Sequence, residues 1–130
     1  MANALYTIFK NGLMNQLYDL DDDTLKVALL NDTYSVDLVT NTDYATFASS
    51  AQIATDTLAG GSISAGVFDA SDHVFSSVTT GLTIAYIVIY HDSTGQLIAY
   101  FDTDSGGTIG TDTNGGDVTV TWNASGIFGL

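Results

Sequence analysis

The sequence predicts a mainly β fold, an antiparallel β-sandwich or barrel with one N-terminal amphipathic helix. One segment, Ala2–Leu20, has helical spacing of its apolar residues. About eight later segments alternate or run together as short strands, and turns rich in Gly, Asn and Asp separate them. A length of 130 residues is usual for one domain. We therefore expect a single domain over 1–130, with a helix or arm over 1–20 and a β-sandwich over 24–130.

The helix predicted over Ala2–Leu20 carries one apolar stripe. Its members recur every three or four residues and are Leu5, Ile8, Phe9, Leu13 and Leu17. Asn3 is the expected N-cap, and Gly12 weakens the helix by about 1 kcal/mol relative to Ala. The acidic run that begins at Asp19 lies at the negative end of the helix dipole and should terminate the helix. We expect the stripe to pack on the protein's own sheet, with docking on a partner as the alternative.

The periodicity changes to two after the helix. Thr24–Leu30 alternates apolar and polar residues, which predicts a half-buried strand. Asn31–Thr46 is polar and predicts a long loop, whereas Phe47–Ala54 fits either a helical turn or a strand. The pair Gly60-Gly61 indicates a turn between two weak strands.

The strongest strand signal lies in Leu82–Asp102. Within it, Ile84–Tyr90 is continuously apolar and rich in β-branched residues, as expected for a central strand covered on both faces. Turn residues at His91–Gly95 and a second apolar run at Leu97–Phe101 complete a predicted hairpin. Alternation at Val118–Trp122 predicts another strand, and the apolar C-terminal end predicts a tail held in a sheet.

The charge balance limits the possible partners. The sequence has two lysines, Lys10 and Lys26, and fifteen aspartates, with no Arg and no Glu, so its formal net charge is −13. Binding to phosphate depends on Lys and Arg, so direct nucleic-acid binding is excluded and an anionic membrane surface is disfavoured. No apolar run approaches the roughly 20 residues of a membrane helix. Proteins, neutral sugars and divalent cations are the partner classes that fit.

Catalytic groups are sparse. His91 stands at the predicted hairpin turn, where we expect it to be solvated or hydrogen-bonded, and His73 can pair with Asp69 or Asp72. The sequence has no Gly-x-Ser-x-Gly, His-x-His or His-Glu-x-x-His motif and no Cys. We therefore predict no enzyme, no catalytic residue and no cofactor.

The segment Asp102–Gly107 begins like a calcium-binding loop, with oxygen ligands at alternate positions. Gly106 and Thr113 stand where an EF-hand needs ligands, so the EF-hand interpretation fails. An Asp/Gly-rich turn is the favoured interpretation, and no metal site is predicted. The candidates for a looser cation site are Asp102, Asp104 and Asp112.

The aromatic residues fall into two groups. Tyr34 and Tyr44 stand on the polar loop, and we expect them to make outward contacts. Four other aromatic residues lie in predicted strands, where their size suits packing: Tyr86, Tyr90, Tyr100 and Trp122. Outward-facing tyrosines leave a lectin-like module as an alternative.

Six stretches follow one another along nearly the whole chain. They are Met1–Tyr6 (MANALY), Leu25–Leu30 (LKVALL), Val67–Phe75 (VFDASDHVF), Ala85–Tyr90 (AYIVIY), Leu97–Asp102 (LIAYFD) and Asn114–Trp122 (NGGDVTVTW). In this order they resemble small virion structural proteins of tailed bacteriophages, of the head decoration or cement type. The long Thr/Asp/Gly tracts depart from that pattern.

The resemblance implies a non-enzymatic structural protein of a phage virion, a capsid decoration or cement protein that stabilises the head. Its partners would be the major capsid protein and copies of itself, with no direct nucleic-acid binding and no membrane. It would be made in the host cytoplasm and lie on the outer surface of the head. The alternatives are a connector or tail structural protein, and a soluble lectin-like or calcium-dependent binding module.

Attachment to such partners is expected to depend on apolar contacts, because the chain offers only two cations for ion pairs. We expect the contacts to come from the N-terminal segment Ala2–Leu17 and from the loop Asn31–Phe47. The predicted partner-binding residues are Leu5, Ile8, Phe9, Tyr34 and Tyr44.

Overall fold

The prediction of a mainly β fold is confirmed by the computed structural model, which describes residues 3–104 and 106–129. Strand pairs are antiparallel, and two short helices accompany them in this part of the chain. In chain order the elements are β1 (Ala4–Leu5), α1 (Thr7–Met14), β2 (Leu25–Leu30), α2 (Ala45–Ala51), β3 (Gln52–Leu58), β4 (Ser62–Ser64), β5 (Val67–Asp69), β6 (His73–Phe75), β7 (Thr83–Ile84), β8 (Tyr86–His91), β9 (Leu97–Phe101), β10 (Thr103–Asp104), β11 (Gly107–Thr108), β12 (Thr111–Asp112), β13 (Val118–Val120) and β14 (Phe128–Gly129).

The main sheet has five strands in the order β1-β9-β8-β2-β3. The predicted hairpin is present as β8 and β9, and β8 is an interior strand of the sheet, as its continuous apolar run indicated. The pairing shifts by one residue in β9. Tyr90 pairs with Leu97 and Ile89 pairs with Ala99, so Ile98 is the extra residue of a bulge.

Alternate residues of the sheet supply two apolar layers. On one face, Val27, Leu29 and Ile89 pack with α1 and with the smaller sheets. On the other, Ala28, Leu30, Val88 and Tyr100 pack with the polar loop and α2. Burial of each large side chain stabilises the folded state by about 1.5–3 kcal/mol. Covering both faces of one sheet therefore supplies most of the favourable free energy of folding.

The smaller sheets lie over the first face. β4, β5 and β14 form one of them, and β6 with β13, β7 with β12 and β10 with β11 form pairs. Phe128 of β14 pairs with Phe68 of β5, which confirms a C-terminal end held in a sheet. Leu130, the last apolar residue, lies outside the described residues.

The helix is shorter than Ala2–Leu20, and that prediction is wrong at both ends. Asn3 is not its N-cap; its side-chain oxygen accepts hydrogen bonds from the backbone of Asp102 and Thr103, at 2.9 and 3.1 Å. Leu5, the first residue of the apolar stripe, lies in β1 with Ala4, because pairing with β9 satisfies their backbone groups. Ala2 lies outside the described residues.

The segment that fitted either a helix or a strand contains both. Phe47 is buried in α2, and the chain then passes directly into β3 at Gln52. β3 pairs along β2 from Leu58 to Gln52 with one irregularity near its start. The Gly60-Gly61 turn follows β3 as predicted, with Gly60 at φ 72°.

Candidate binding groove

An apolar groove of about 500 Å³ opens between the end of α1 and the β4–β5–β14 sheet. Its volume lies within the range of small-ligand pockets. The apolar lining consists of Leu13, Leu17, Leu20, Ile63, Phe68 and Phe128. The same groove is bordered by Tyr18 and by two carboxylates, those of Asp19 and Asp23.

The first wall of the groove is fixed by the way α1 ends. The Leu17 N–H donates to the Gly12 carbonyl at 2.9 Å, and the Gln16 N–H donates to the Leu13 carbonyl at 3.1 Å. Gln16 has φ 59°, so these bonds form a Schellman motif with a non-glycine residue in the left-handed region. The helix therefore ends at Met14, before the acidic run, and the prediction that this run terminates it is wrong.

Tyr18 completes this wall, and it explains the glycine in the helix. A Cβ added at Gly12 would overlap the Tyr18 ring, which therefore requires glycine there. The ring also lies 5.2 Å from that of Phe9 and 5.5 Å from that of His91, and its hydroxyl donates to Gln96. Burial and the nearby Asp23 carboxylate raise the pKa of Tyr18, so its hydroxyl is neutral at pH 7.

The second wall comes from a two-residue hairpin. Ser64 pairs with Val67, and the intervening Ala65 and Gly66 have φ 51° and 79°, as in a type I′ turn. Ile63 pairs with Phe68, so their side chains share one face of the hairpin. Behind them the Phe68 and Phe128 rings stack at 5.2 Å.

Large apolar side chains stand exposed along the groove. Leu17 is 64% exposed and Ile63 is 48% exposed, and both line it. Three other large apolar residues of the described chain are comparably exposed but do not line the groove: Met14 at 78%, Val39 at 70% and Val74 at 47%. A groove that gathers exposed apolar residues is typical of an interaction site.

One rim of the groove is acidic. Asp23 Oδ2 lies 3.1 Å from His91 Nε2 and accepts a 2.8 Å hydrogen bond from the Asp19 N–H. The side chains of Asp19, Asp21 and Asp22 are exposed and make no hydrogen bond within the described residues. Neither Lys10 nor Lys26 is among the described residues that line the groove. The groove thus combines an apolar floor with a negative rim.

His91 holds the rim to the hairpin turn. It is buried, and its Nδ1 lies 3.0 Å from Thr94 Oγ1 and 3.2 Å from Ser93 Oγ. The hydrogen-bonded state expected for His91 is confirmed, although the ring is buried. Asp23, His91 and Ser93 are the residue types of a nucleophilic triad. The hydroxyls of Ser93 and Thr94, however, do not line the groove, and both residues belong to the hairpin turn. The arrangement fastens the acidic run to β8.

His73 pairs with a different carboxylate from those predicted. Its Nε2 lies 3.0 Å from Asp56 Oδ2, because β6 lies beside β3, so the prediction of Asp69 or Asp72 is wrong. A hydrogen bond from the Thr57 N–H, together with the facing His73, lowers the pKa of Asp56. The Asp56 side chain is exposed and the His73 side chain is half-buried, so the pair lies at the edge of the protein surface.

The predicted partner-binding residues lie mostly inside the protein. Phe9 is fully buried, and Tyr34 and Tyr44 are 4% and 6% exposed, so the expectation of outward-facing tyrosines is wrong. The loop folds over the sheet because each hydroxyl finds a partner: Tyr34 donates to Asn41, and Tyr44 donates to Gln52. Leu5 and Ile8 are half-buried and pack against the core.

The three candidate cation ligands are not brought together. Asp104 accepts a 2.8 Å hydrogen bond from the Gly106 N–H, and Asp112 accepts one of 2.8 Å from Thr83 Oγ1. Asp102 is half-buried after β9. Within residues 3–104 and 106–129, no three carboxylate or imidazole groups are placed to hold a metal. Ser105, within this segment, lies outside the described residues.

A second cleft, of about 580 Å³, lies beside Trp122 and Phe101. Its polar border includes Asn3, whose side chain is already used in hydrogen bonds to Thr103 and Asp102. The Trp122 indole N–H donates to the Ser71 carbonyl at 3.2 Å. Because these polar groups are engaged within the protein, the groove beside α1 is the stronger candidate for binding.

The groove was not predicted because Leu17 belongs to a stripe that was expected to pack on the sheet, and because Ile63 was given no role. Leu17 continues the helical stripe from Leu13 in the sequence. It is exposed in the structure because the helix ends earlier, at Met14. Ile63 stands alone between Ser62 and Ser64, a pattern that indicates one apolar position on a polar hairpin.

Comparison with known proteins finds no match among family models, curated proteins or solved structures. Neither helix in the described part of the chain has the length and apolarity to cross a membrane. Function is therefore inferred from the residues themselves.

Proposed function

We propose that this protein is a non-enzymatic structural protein of a tailed-phage virion, a capsid decoration or cement protein that attaches to the major capsid protein through the groove. The observation that carries attachment through the groove is the exposure of Leu17 and Ile63 along it, in a protein whose net charge is −13. Apolar surface left in water costs about 25 cal/mol per Å². Covering this groove with another protein recovers that free energy.

The assignment to a phage head rests on the sequence resemblance, which spans six stretches from the N-terminal end to Trp122. The charge of −13 agrees with a place on the outer surface, away from packaged DNA. The internal use of His91 and His73 supports a structural role, because both imidazoles are paired with carboxylates of neighbouring segments.

Mass spectrometry of purified particles tests this proposal. We expect the protein in many copies per particle, in a fixed ratio to the major capsid protein, because a decoration protein follows the symmetry of the shell. Absence from particles would contradict the proposal. A copy number of only a few would contradict head decoration and favour the connector or tail alternative.

A further inference from the structure

We propose that the groove binds an extended apolar segment of a partner protein that carries Lys or Arg beside its apolar side chains. The inference deepens the proposed function, and rests on it for the source of the segment, since a shell protein would supply it. The chemistry of the segment follows from the groove alone.

The apolar part of the ligand is set by the floor of the groove. Leu17, Ile63 and Phe68 present side chains from two separate segments to the same space. The volume of about 500 Å³ exceeds the roughly 150 Å³ that holds one benzene ring in an engineered cavity. The groove therefore has room for more than one apolar side chain, as an extended segment would provide.

The basic part of the ligand is set by the rim. Asp19 lines the groove with its carboxylate unpaired within the described residues, and Asp21 and Asp22 follow in the same exposed run. With neither lysine in the described lining, the local field is negative. Rim charges of one sign mainly raise the association rate of an oppositely charged partner and repel a partner of the same sign.

A second copy of this chain does not meet these requirements. Each copy carries a charge of −13, and its only cations are Lys10 and Lys26. Lys26 is half-buried in β2, an interior strand of the main sheet, so the exposed Lys10 of α1 is the one cation that a second copy could offer from the described residues. Two copies meeting at this groove would bring their acidic rims together, which is unfavourable.

The test is selection of random twelve-residue peptides on the immobilised full chain, with removal of peptides that also bind the Leu17→Asn variant. We expect the selected peptides to combine Leu, Ile or Phe with an excess of Lys and Arg. Failure to select any peptide, or selection of neutral or acidic peptides, would overturn the inference. Self-association of the chain that Leu17→Asn abolishes would also overturn it, because the occupant would then be a second copy.

Fluorescence anisotropy with one selected peptide then measures how much the floor and the rim each contribute to the binding affinity. We expect Leu17→Asn to weaken binding at least tenfold, and the double variant Asp19→Asn/Asp22→Asn to weaken it severalfold in 50 mM salt but not in 500 mM salt. Val39→Asn, an equally exposed position outside the groove, should bind like the wild type. Equal affinities for Leu17→Asn and Val39→Asn would overturn the inference.

These outcomes are distinct from failure of the proposed function. A protein that selects basic apolar peptides but is absent from particles retains the groove chemistry and loses the phage assignment. A protein found in many copies on particles that selects no such peptide retains the assignment and loses this inference.

Discussion

Replacing Phe9 with alanine is expected to lower the free energy of unfolding by about 3–5 kcal/mol. Phe9 is fully buried where α1 meets the first face of the sheet. Its ring lies 5.2 Å from the Tyr18 ring and 5.6 Å from the Phe128 ring, so truncation leaves a cavity between three segments. The free energy of unfolding of a small domain is about 5–15 kcal/mol, so this loss is a large share of the total.

Urea unfolding followed by circular dichroism measures this change. Met14→Ala is the control on the same helix, because Met14 is 78% exposed and its truncation should change stability by less than about 0.5 kcal/mol. A loss below about 1 kcal/mol for Phe9→Ala would show that the helix does not pack as described.

The second large effect is a loss of stability at alkaline pH that depends on Tyr34. Tyr6 donates to the Tyr34 hydroxyl at 2.6 Å, and Tyr34 donates to Asn41 Oδ1 at 2.8 Å. Burial raises the pKa of Tyr34 to about 12 and also raises the pKa values of Tyr6 and Tyr44. These hydroxyls therefore stay protonated in the folded protein after they have ionised in the unfolded chain.

The sign follows from proton binding. Above about pH 10 the unfolded chain binds fewer protons than the folded protein, so stability falls as the pH rises. The contribution of Tyr34 is fully present below pH 10 and is lost by about pH 12, at about 1.4 kcal/mol per pH unit. Acid conditions leave this contribution intact.

The variant Tyr34→Phe provides the matched measurement. At pH 7 it should be less stable than the wild type by about 2 kcal/mol, because two hydrogen bonds are lost and the buried Tyr6 hydroxyl is left without its acceptor. Above pH 10 the stability of the variant should fall less steeply than that of the wild type, by the slope of one proton, so the two curves should cross at about pH 11.5. Urea unfolding at several pH values between 7 and 12 decides this, and parallel curves would contradict the account.

Much of the main sheet could be predicted because its signals are local. The apolar run at Ile84–Tyr90 requires cover on both faces, and the turn residues before Leu97 require a hairpin. The structure has both features, although β8 begins at Tyr86, after a short separate strand. The C-terminal Phe128 is likewise apolar and held in a sheet.

The N-terminal segment could not be predicted from its stripe because tertiary pairing decides its conformation. Leu5 has the helical spacing of Ile8 and Phe9, yet it lies in β1 because Ala99 of β9 offers a backbone partner. That partner is distant in sequence, and the spacing of apolar residues carries no information about it.

The burial of the two tyrosines in the polar loop could not be predicted for a similar reason. Tyr34 and Tyr44 are surrounded in sequence by Asn, Asp and Thr, which suggested exposure. In the structure Tyr44 stacks on Tyr90 at 4.0 Å, and the polar neighbours face water while the rings cover the sheet. Composition cannot tell these two arrangements apart.

The groove was beyond sequence prediction because it depends on a turn that no sequence rule identifies. Gln16 takes the left-handed position that glycine usually occupies at the end of a helix. This turn places Leu17 opposite Ile63, from a hairpin far along the chain. Neither residue signals a binding site by itself.

The most direct test of the central claim is attachment of the double variant Leu17→Asn/Ile63→Asn to particles produced without this protein. The matched control is Val39→Asn/Val74→Asn, since exposure is 64% and 48% in the first pair and 70% and 47% in the second. Bound copies are counted by mass spectrometry after sedimentation, with folding of both variants checked by circular dichroism.

We expect the groove variant to lose at least about tenfold in affinity, because two apolar side chains contribute well over 1.4 kcal/mol when covered. The control variant should bind within about twofold of the wild type. A folded groove variant that binds at the wild-type level, or a control that loses as much as the groove variant, would contradict attachment through the groove.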